Sequence, residues 1–337
     1  MRKIGTLLLV VFATFCFYGC GNDGDEHKQK LLVKTNRVEG LNFYRYEDVL
    51  FTLDTNDFQD GLMKIQGEYA PFLDGDLSNM YAVKYIQDFV TDPFVRVLFG
   101  KVKTAFPNLD FVRKTVEEVY AHFAYYYPGV KLPENIYTCV SGISVETPAV
   151  MIIDGNLIIS LDWYLDGDEI YDSFGMPRYI SDRTGKEAMP KDVAKALYAE
   201  FIQDWRKQTN LLDEMVAAGK MLYFIEAMSP EIKDAVLMGY TEEQLKWAES
   251  YEGDVWADIV GSQRLYSTGL DMHMTFLADG PFTQEYSNEA PSRLGEYIGL
   301  HIVRSYMQNN DVALQSLMED MDFQGIFQQS NYKARKK

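Results

Sequence analysis

Ala149-Val-Met-Ile-Ile-Asp-Gly-Asn-Leu-Ile-Ile-Ser-Leu161 is the stretch on which the fold turns. Two apolar runs, 149–153 and 157–161, flank Asp154-Gly155-Asn156. β-Branched residues suit a pleated strand, and Asp-Gly tolerates the left-handed backbone of a tight hairpin turn. The pattern predicts an antiparallel hairpin. Ile152, Ile153, Ile158 and Ile159 are too apolar for a pair of strands facing water. Residues 136–140 form a further strand candidate just upstream.

Away from this centre the period changes. Val112, Val116, Val119 and Phe123 share one helical face, in a segment that Asp110 is placed to cap and Pro128-Gly129 to end. Residues 46–70 and 78–105 show mixed helical spacing, broken by Pro71, Pro93 and Pro107. After residue 188 the pattern is helical over 193–205, 211–228, 241–251, 255–265 and 294–307. Pro190 fits a first helical turn, and Thr241-Glu-Glu-Gln244 has the spacing of a capping box. No repeat and no Gly/Ser- or Pro-rich stretch divides the chain after Leu41. The expected fold is α+β: a mostly helical single domain with a small antiparallel sheet in the middle third.

The N-terminus follows a different logic. Arg2 and Lys3 precede an almost purely apolar run over 4–18, shorter than the roughly 20 residues of a membrane-spanning helix and placed as a signal peptide is. It ends in Phe17-Tyr18-Gly19-Cys20. A small residue directly before Cys is the pattern of a lipoprotein signal, in which Cys20 is diacylated and becomes the mature N-terminus. Two acyl chains anchor stably, since each buried methylene contributes about 0.8 kcal/mol. The chain thus divides into a signal peptide at 1–19, a lipidated flexible tether at 20–38 and a globular domain at 39–337. The lipid bilayer is the first expected partner, through acylated Cys20. Of the three cysteines, Cys16 leaves with the signal and Cys20 carries lipid, so Cys139 has no disulfide partner. It reads as a buried small hydrophobe rather than a nucleophile.

Charge and motifs exclude several functions. The 50 Asp+Glu outweigh the 32 Lys+Arg, for a formal net charge of −18. Such a surface repels a phosphate backbone, so nucleic acid is not an expected partner. The four histidines are His27, His122, His273 and His301. None opens an H-E-x-x-H, and neither G-x-S-x-G nor a P-loop occurs. Asp162, Asp166, Asp168, Glu169 and Asp172 lack the alternation and twelfth-position Glu of an EF-hand loop, and read as a solvated acidic loop. Gly295 and Gly299 admit a close backbone, either a partner's or, more simply, one within the domain. His301 and Arg304 share that segment without the companion acid and nucleophile of a triad.

Longer motifs carry a family resemblance. Asp162-Trp-Tyr-Leu-Asp-Gly-Asp168, Gly175-Met-Pro-Arg-Tyr179 and Met189-Pro-Lys-Asp-Val-Ala-Lys-Ala-Leu197 resemble the GldB family of gliding-motility lipoproteins of Bacteroidetes. So do Leu211-Leu-Asp-Glu-Met215, Gly219-Lys-Met-Leu-Tyr223 and Gly239-Tyr-Thr-Glu-Glu-Gln-Leu-Lys-Trp247. In the last third, Trp256, Leu265-Tyr-Ser-Thr268, Asp279-Gly-Pro-Phe-Thr283, Ala290-Pro-Ser-Arg-Leu-Gly295 and Ile302-Val-Arg-Ser-Tyr306 continue it in order. The resemblance implies a lipid-anchored outer-membrane protein, on the periplasmic face or the cell surface. It would serve motility and, by association, secretion machinery through an envelope protein partner. The acidic residues 21–26 resemble a surface-export signal of the same bacteria, and read equally as a solvated spacer.

This family is in turn distantly similar to zinc-dependent protease-like domains, which carry H-E-x-x-H on a helix after a small sheet. On that resemblance Lys191 and Lys195 stand where two ligand histidines would be, Asp192 where the catalytic Glu would be, and Ala218 where a third ligand would be. Ammonium groups one helical turn apart repel a dication, and zinc takes imidazole, thiolate or carboxylate. Lys191 and Lys195 also read as the exposed face of a surface helix. Both readings imply no metal and no cofactor, and the first a degenerate zincin-like scaffold without catalysis. The alternatives are an active surface zinc metallopeptidase, or a lipoprotein that binds peptide or glycan through an aromatic cleft.

Overall fold

The computed structural model describes residues 23–167, 169–202 and 208–335. The first third holds α1 (Asp23–Leu31), β1 (Asn42–Arg45), α2 (Tyr46–Leu50), α3 (Phe58–Ile65), α4 (Ala70–Leu73), α5 (Met80–Thr91) and α6 (Pro93–Ala105). Next come α7 (Asp110–Tyr126), β2 (Asn135–Cys139), β3 (Val150–Ile153), β4 (Asn156–Ser160), α8 (Ile170–Ser173), α9 (Arg178–Ser181) and α10 (Met189–Phe201). Single 3-10 turns at Leu161–Trp163 and Lys186–Ala188 flank α8 and α9. The last third is helical: α11 (Leu211–Met228), α12 (Asp234–Met238), α13 (Glu242–Gly261), α14 (Leu270–Phe276), α15 (Leu294–Asn309), α16 (Leu314–Glu319) and α17 (Phe323–Ser330). The fold is α+β, as the change of period predicts.

The hairpin forms at the expected turn. Asp154 and Gly155 take φ of 48° and 71°, the signs of a two-residue primed turn, and Ile153 faces Asn156 across it. The whole sheet departs from the antiparallel expectation. Its order is β1-β2-β4-β3, with β1 parallel to β2, β2 parallel to β4, and only β3 antiparallel. Parallel neighbours need long crossovers: six helices intervene between β1 and β2, and β3 itself intervenes between β2 and β4. β1 also lies outside the middle third. Four residues, Asn-Phe-Tyr-Arg, are too few to announce a strand by alternation.

Central position decides burial. Leu157 and Ile159 on β4 are fully buried, as is Ile136 on β2. β3 is the edge. Val150 is buried there, Met151 and Ile152 are half-buried, and Ile153 at the hairpin tip is 39% exposed, against the expectation of burial. Ile158 is 4% exposed and pairs with Tyr137 and Met151. Ile158→Asp should therefore cost several kcal/mol, because a carboxyl would enter a site with no partner. We expect the melting temperature to fall by roughly 5–10 °C; an unchanged value would remove Ile158 from the core.

The helices obey their local signals with two corrections. Thr241 and Gln244 complete the capping box at α13, and Asp92 accepts from the N–H groups of Phe94 and Val95 at α6, with Pro93 in the first turn. At α7, however, Asn108 rather than Asp110 accepts the terminal N–H. The expected helices over 241–251 and 255–265 merge into one, α13, which runs through the expected break with Glu252 and Val255 both buried and stops at Gly261, short of residue 265.

The N-terminal stretch read as a flexible tether is helical over α1. His27 is 2% exposed, with Nε2 2.9 Å from Oε1 of Glu226, and Lys28 Nζ donates to Asp234 at 2.8 Å. Composition alone marks this segment as solvated; one imidazole and Leu31, both buried, dock it. Cys20 lies outside the described residues. No described helix is long and apolar enough to cross a membrane.

Candidate functional site

A groove of about 540 Å³ opens between α10, β3 and the loop leading into β3. Its geometry follows from how α10 is set. Met189, Val193, Ala194 and Leu197 are buried, and Pro190 sits in the first turn. Residues 191, 192 and 195 share the groove wall of the helix. Lys191 and Asp192 are half-buried and Lys195 is exposed.

Asp192 is held. Tyr164, 1% exposed, donates its hydroxyl to Asp192 Oδ2 at 2.9 Å. Burial and the facing carboxylate push that hydroxyl well above its ordinary range, so it stays a neutral donor. The two lysines differ. No described residue forms an ion pair or hydrogen bond with Lys191 or Lys195. Burial lowers the Lys191 ammonium below its usual range, against the opposing pull of Asp192. Arg183, which also lines the groove, is committed to Asp279 by two bonds of 2.8 Å.

The structure thus brings Lys191, Asp192 and Lys195 to one groove. It places Ala218 elsewhere, half-buried on α11 and outside the groove lining. Among the described residues no group of three or more His, Cys, Asp or Glu side chains is placed to hold a metal ion. The histidines are dispersed: His122 bonds Glu118 O, His273 meets Glu214, and His301 packs on Tyr297 at 4.5 Å.

Two residues singled out in the sequence resolve as structural. Cys139 is buried, and burial and Asp162 push its thiol far above the ordinary range, so it stays protonated. Asp162, expected in a solvated loop, is fully buried and accepts from the N–H groups of Ser141 and Ile143 at 3.0 Å. Burial raises its carboxyl against those bonds.

Sequence reasoning left Arg304 without an acid. The acids come from distant helices: Arg304 bonds Glu226 at 2.7 and 3.1 Å and Asp234 at 2.8 and 3.0 Å. The motif Met221-Leu-Tyr-Phe-Ile-Glu226, with a carboxylate inside an apolar helix, was the available signal.

A family model described as gliding motility protein GldB matches residues 26–334. The chain belongs to the GldB family. The match begins inside α1 and ends after α17, so the GldB unit takes in the docked N-terminal helix together with the domain. No curated protein and no solved structure matches the chain.

Proposed function

We propose that this GldB-family protein is a non-catalytic lipoprotein, anchored in the outer membrane through Cys20. It acts there as an accessory component of motility or secretion machinery. The observation that carries the non-catalytic part is the groove on α10. A hydrolytic zinc needs neutral or anionic ligands, an open position and a base beside its water. This groove presents two ammonium groups, and its one half-buried carboxylate already accepts a tyrosine hydroxyl. The lipoprotein signal ending at Gly19-Cys20 supports the anchor, and the family supports the link to motility.

The test has two arms. The lipid-free chain from residue 21, dialysed against zinc, should keep no stoichiometric metal and leave an unfolded protein substrate uncut. One tightly held zinc with chelator-sensitive cleavage would make a metallopeptidase the better reading. In cells, Cys20→Ser should release the protein from membranes or leave its signal uncleaved. Normal processing with unchanged membrane association would sink the lipid anchor.

A further inference from the structure

We propose that the free edge of β3, with Lys191 and Lys195 across from it, is a docking groove for an extended peptide segment bearing an acidic side chain, bound as an added strand of the sheet. This names the kind of partner for the accessory role proposed above and rests on that reading for its biological place only.

The first support is backbone register. Ser160 N–H donates to Ala149 O at 2.8 Å, and the two-residue turn pairs Ile153 with Asn156. Hydrogen-bonded pairs alternate along an antiparallel ladder, so Met151 and Ile158 form the pair between them. The N–H and C=O groups of Val150 and Ile152 then point away from β4. No described residue bonds them, and both residues line the groove. Outward groups at alternate residues are what a peptide adding itself to a sheet edge uses. Proteins commonly protect such edges by placing lysines on the strand itself. Here the lysines come from α10, on the opposite wall, and the space between lies within the usual range of ligand sites.

Charge is the second support. Lys191 and Lys195 stand one helical turn apart on the groove wall, Lys191 half-buried, and neither has an acid within ion-pair distance. Asp192 is engaged by Tyr164, Glu146 and Glu200 lie exposed at the rim, and half-buried Glu296, which Arg293 also holds, acts on Lys195 from beyond ion-pair distance. A carboxylate entering between α10 and β3 would meet both ammonium groups and offset the desolvation that now lowers Lys191.

The probe is a fluorescent five-residue peptide, Thr-Val-Glu-Val-Thr, blocked at both ends so that its carboxylate is the side chain. It is titrated with the full chain in mild detergent and followed by anisotropy. We expect saturable binding, about tenfold or more weaker for the Gln-for-Glu peptide and for the double variant Lys191→Met/Lys195→Met. N-methylation at alternate backbone positions should weaken it in one frame and spare it in the other. Ile152→Pro, which removes one outward N–H and leaves the β4 ladder intact, should weaken it too. The peptide arms use the unaltered protein, so they decide even where a variant folds poorly. No saturation by about 1 mM, equal binding of the Gln peptide, or indifference to N-methylation in both frames would each overturn the proposal. Recovery of cleaved peptide would confirm the groove and sink the non-catalytic reading instead. Intact peptide without binding would sink the groove alone.

Discussion

Gly299→Ala should destabilise the domain by about 4 kcal/mol or more, an unusual cost for a single methyl group. Gly299 on α15 lies against α11 with no room between the backbones. A Cβ built there would overlap the carbonyl oxygen of Met215 and lie 2.6 Å from its carbon. The contact is reciprocal: a Cβ on Gly219 would overlap Gly299 O and fall 2.8 Å from Leu300 N. These neighbours are backbone, so no rotamer can yield. The helices would have to part, and both are buried along most of their length. Separation would open voids along that interface, where each lost contact adds to the cost. Gly100→Ala is the control. It lies inside α6 with nothing within 4 Å of an added Cβ. That change should stabilise by about 0.5–1 kcal/mol through backbone entropy. Denaturant titrations of both variants suffice, and a Gly299→Ala midpoint equal to wild type would refute the close crossing.

That glycine also shows how far the sequence could be read. The Gly295–Gly299 spacing announced a close backbone but could not say whose. Gly295 meets Phe276 O of α14, and Gly299 meets α11, about 80 residues earlier in the chain. Signals closed within a few residues were legible, as at Asp154-Gly155 and the Thr241–Gln244 box, because a turn or a cap is settled by its own dihedrals. Relations between distant segments were not. The strand nature of β1 depends on β2, 93 residues on, and the mixed sheet follows from that pairing. Asp162 looked solvated because nothing local foretold that Ser141 and Ile143 would turn their N–H groups to it. The candidate site divides the same way. The four-residue spacing of Lys191 and Lys195 placed them on one helical face. That this face borders a sheet edge, and that Ala218 does not, needed the packing of α10 on β3.

Arg304→Leu is the other change with a large expected cost, about 3–5 kcal/mol at neutral pH. Arg304 is 5% exposed and bridges Glu226, fully buried on α11, to Asp234 on α12. Removing the guanidinium leaves Glu226 to His27 at 2.9 Å and Lys28 at 3.9 Å. The docking of α1 is thus weakened along with the helix packing, and proteolysis between residues 23 and 35 should quicken. The pH dependence carries the diagnosis. In the native protein burial pushes the Glu226 carboxyl up, but Arg304 and His27 outweigh it and hold it below its ordinary range. Asp234 is held low in the same way by Arg304 and Lys28. Carboxyls depressed by folding contribute stability that is complete above the unfolded carboxylate range and lost as the pH falls through and below it. Without Arg304 the burial of Glu226 is opposed only by α1, so its carboxyl should move up, and protonation then favours the folded variant. The two stability curves should therefore converge as the pH falls from 7 to about 4. Other buried acids, such as Glu47 and Asp162, are the same in both proteins and cancel from the difference. A deficit constant over that range would mean that the lost packing of the arginine stem, not an unpaired carboxylate, sets the cost. The double variant Arg304→Leu/Glu226→Gln separates the two directly, since it should recover part of the loss only if the stranded charge is responsible.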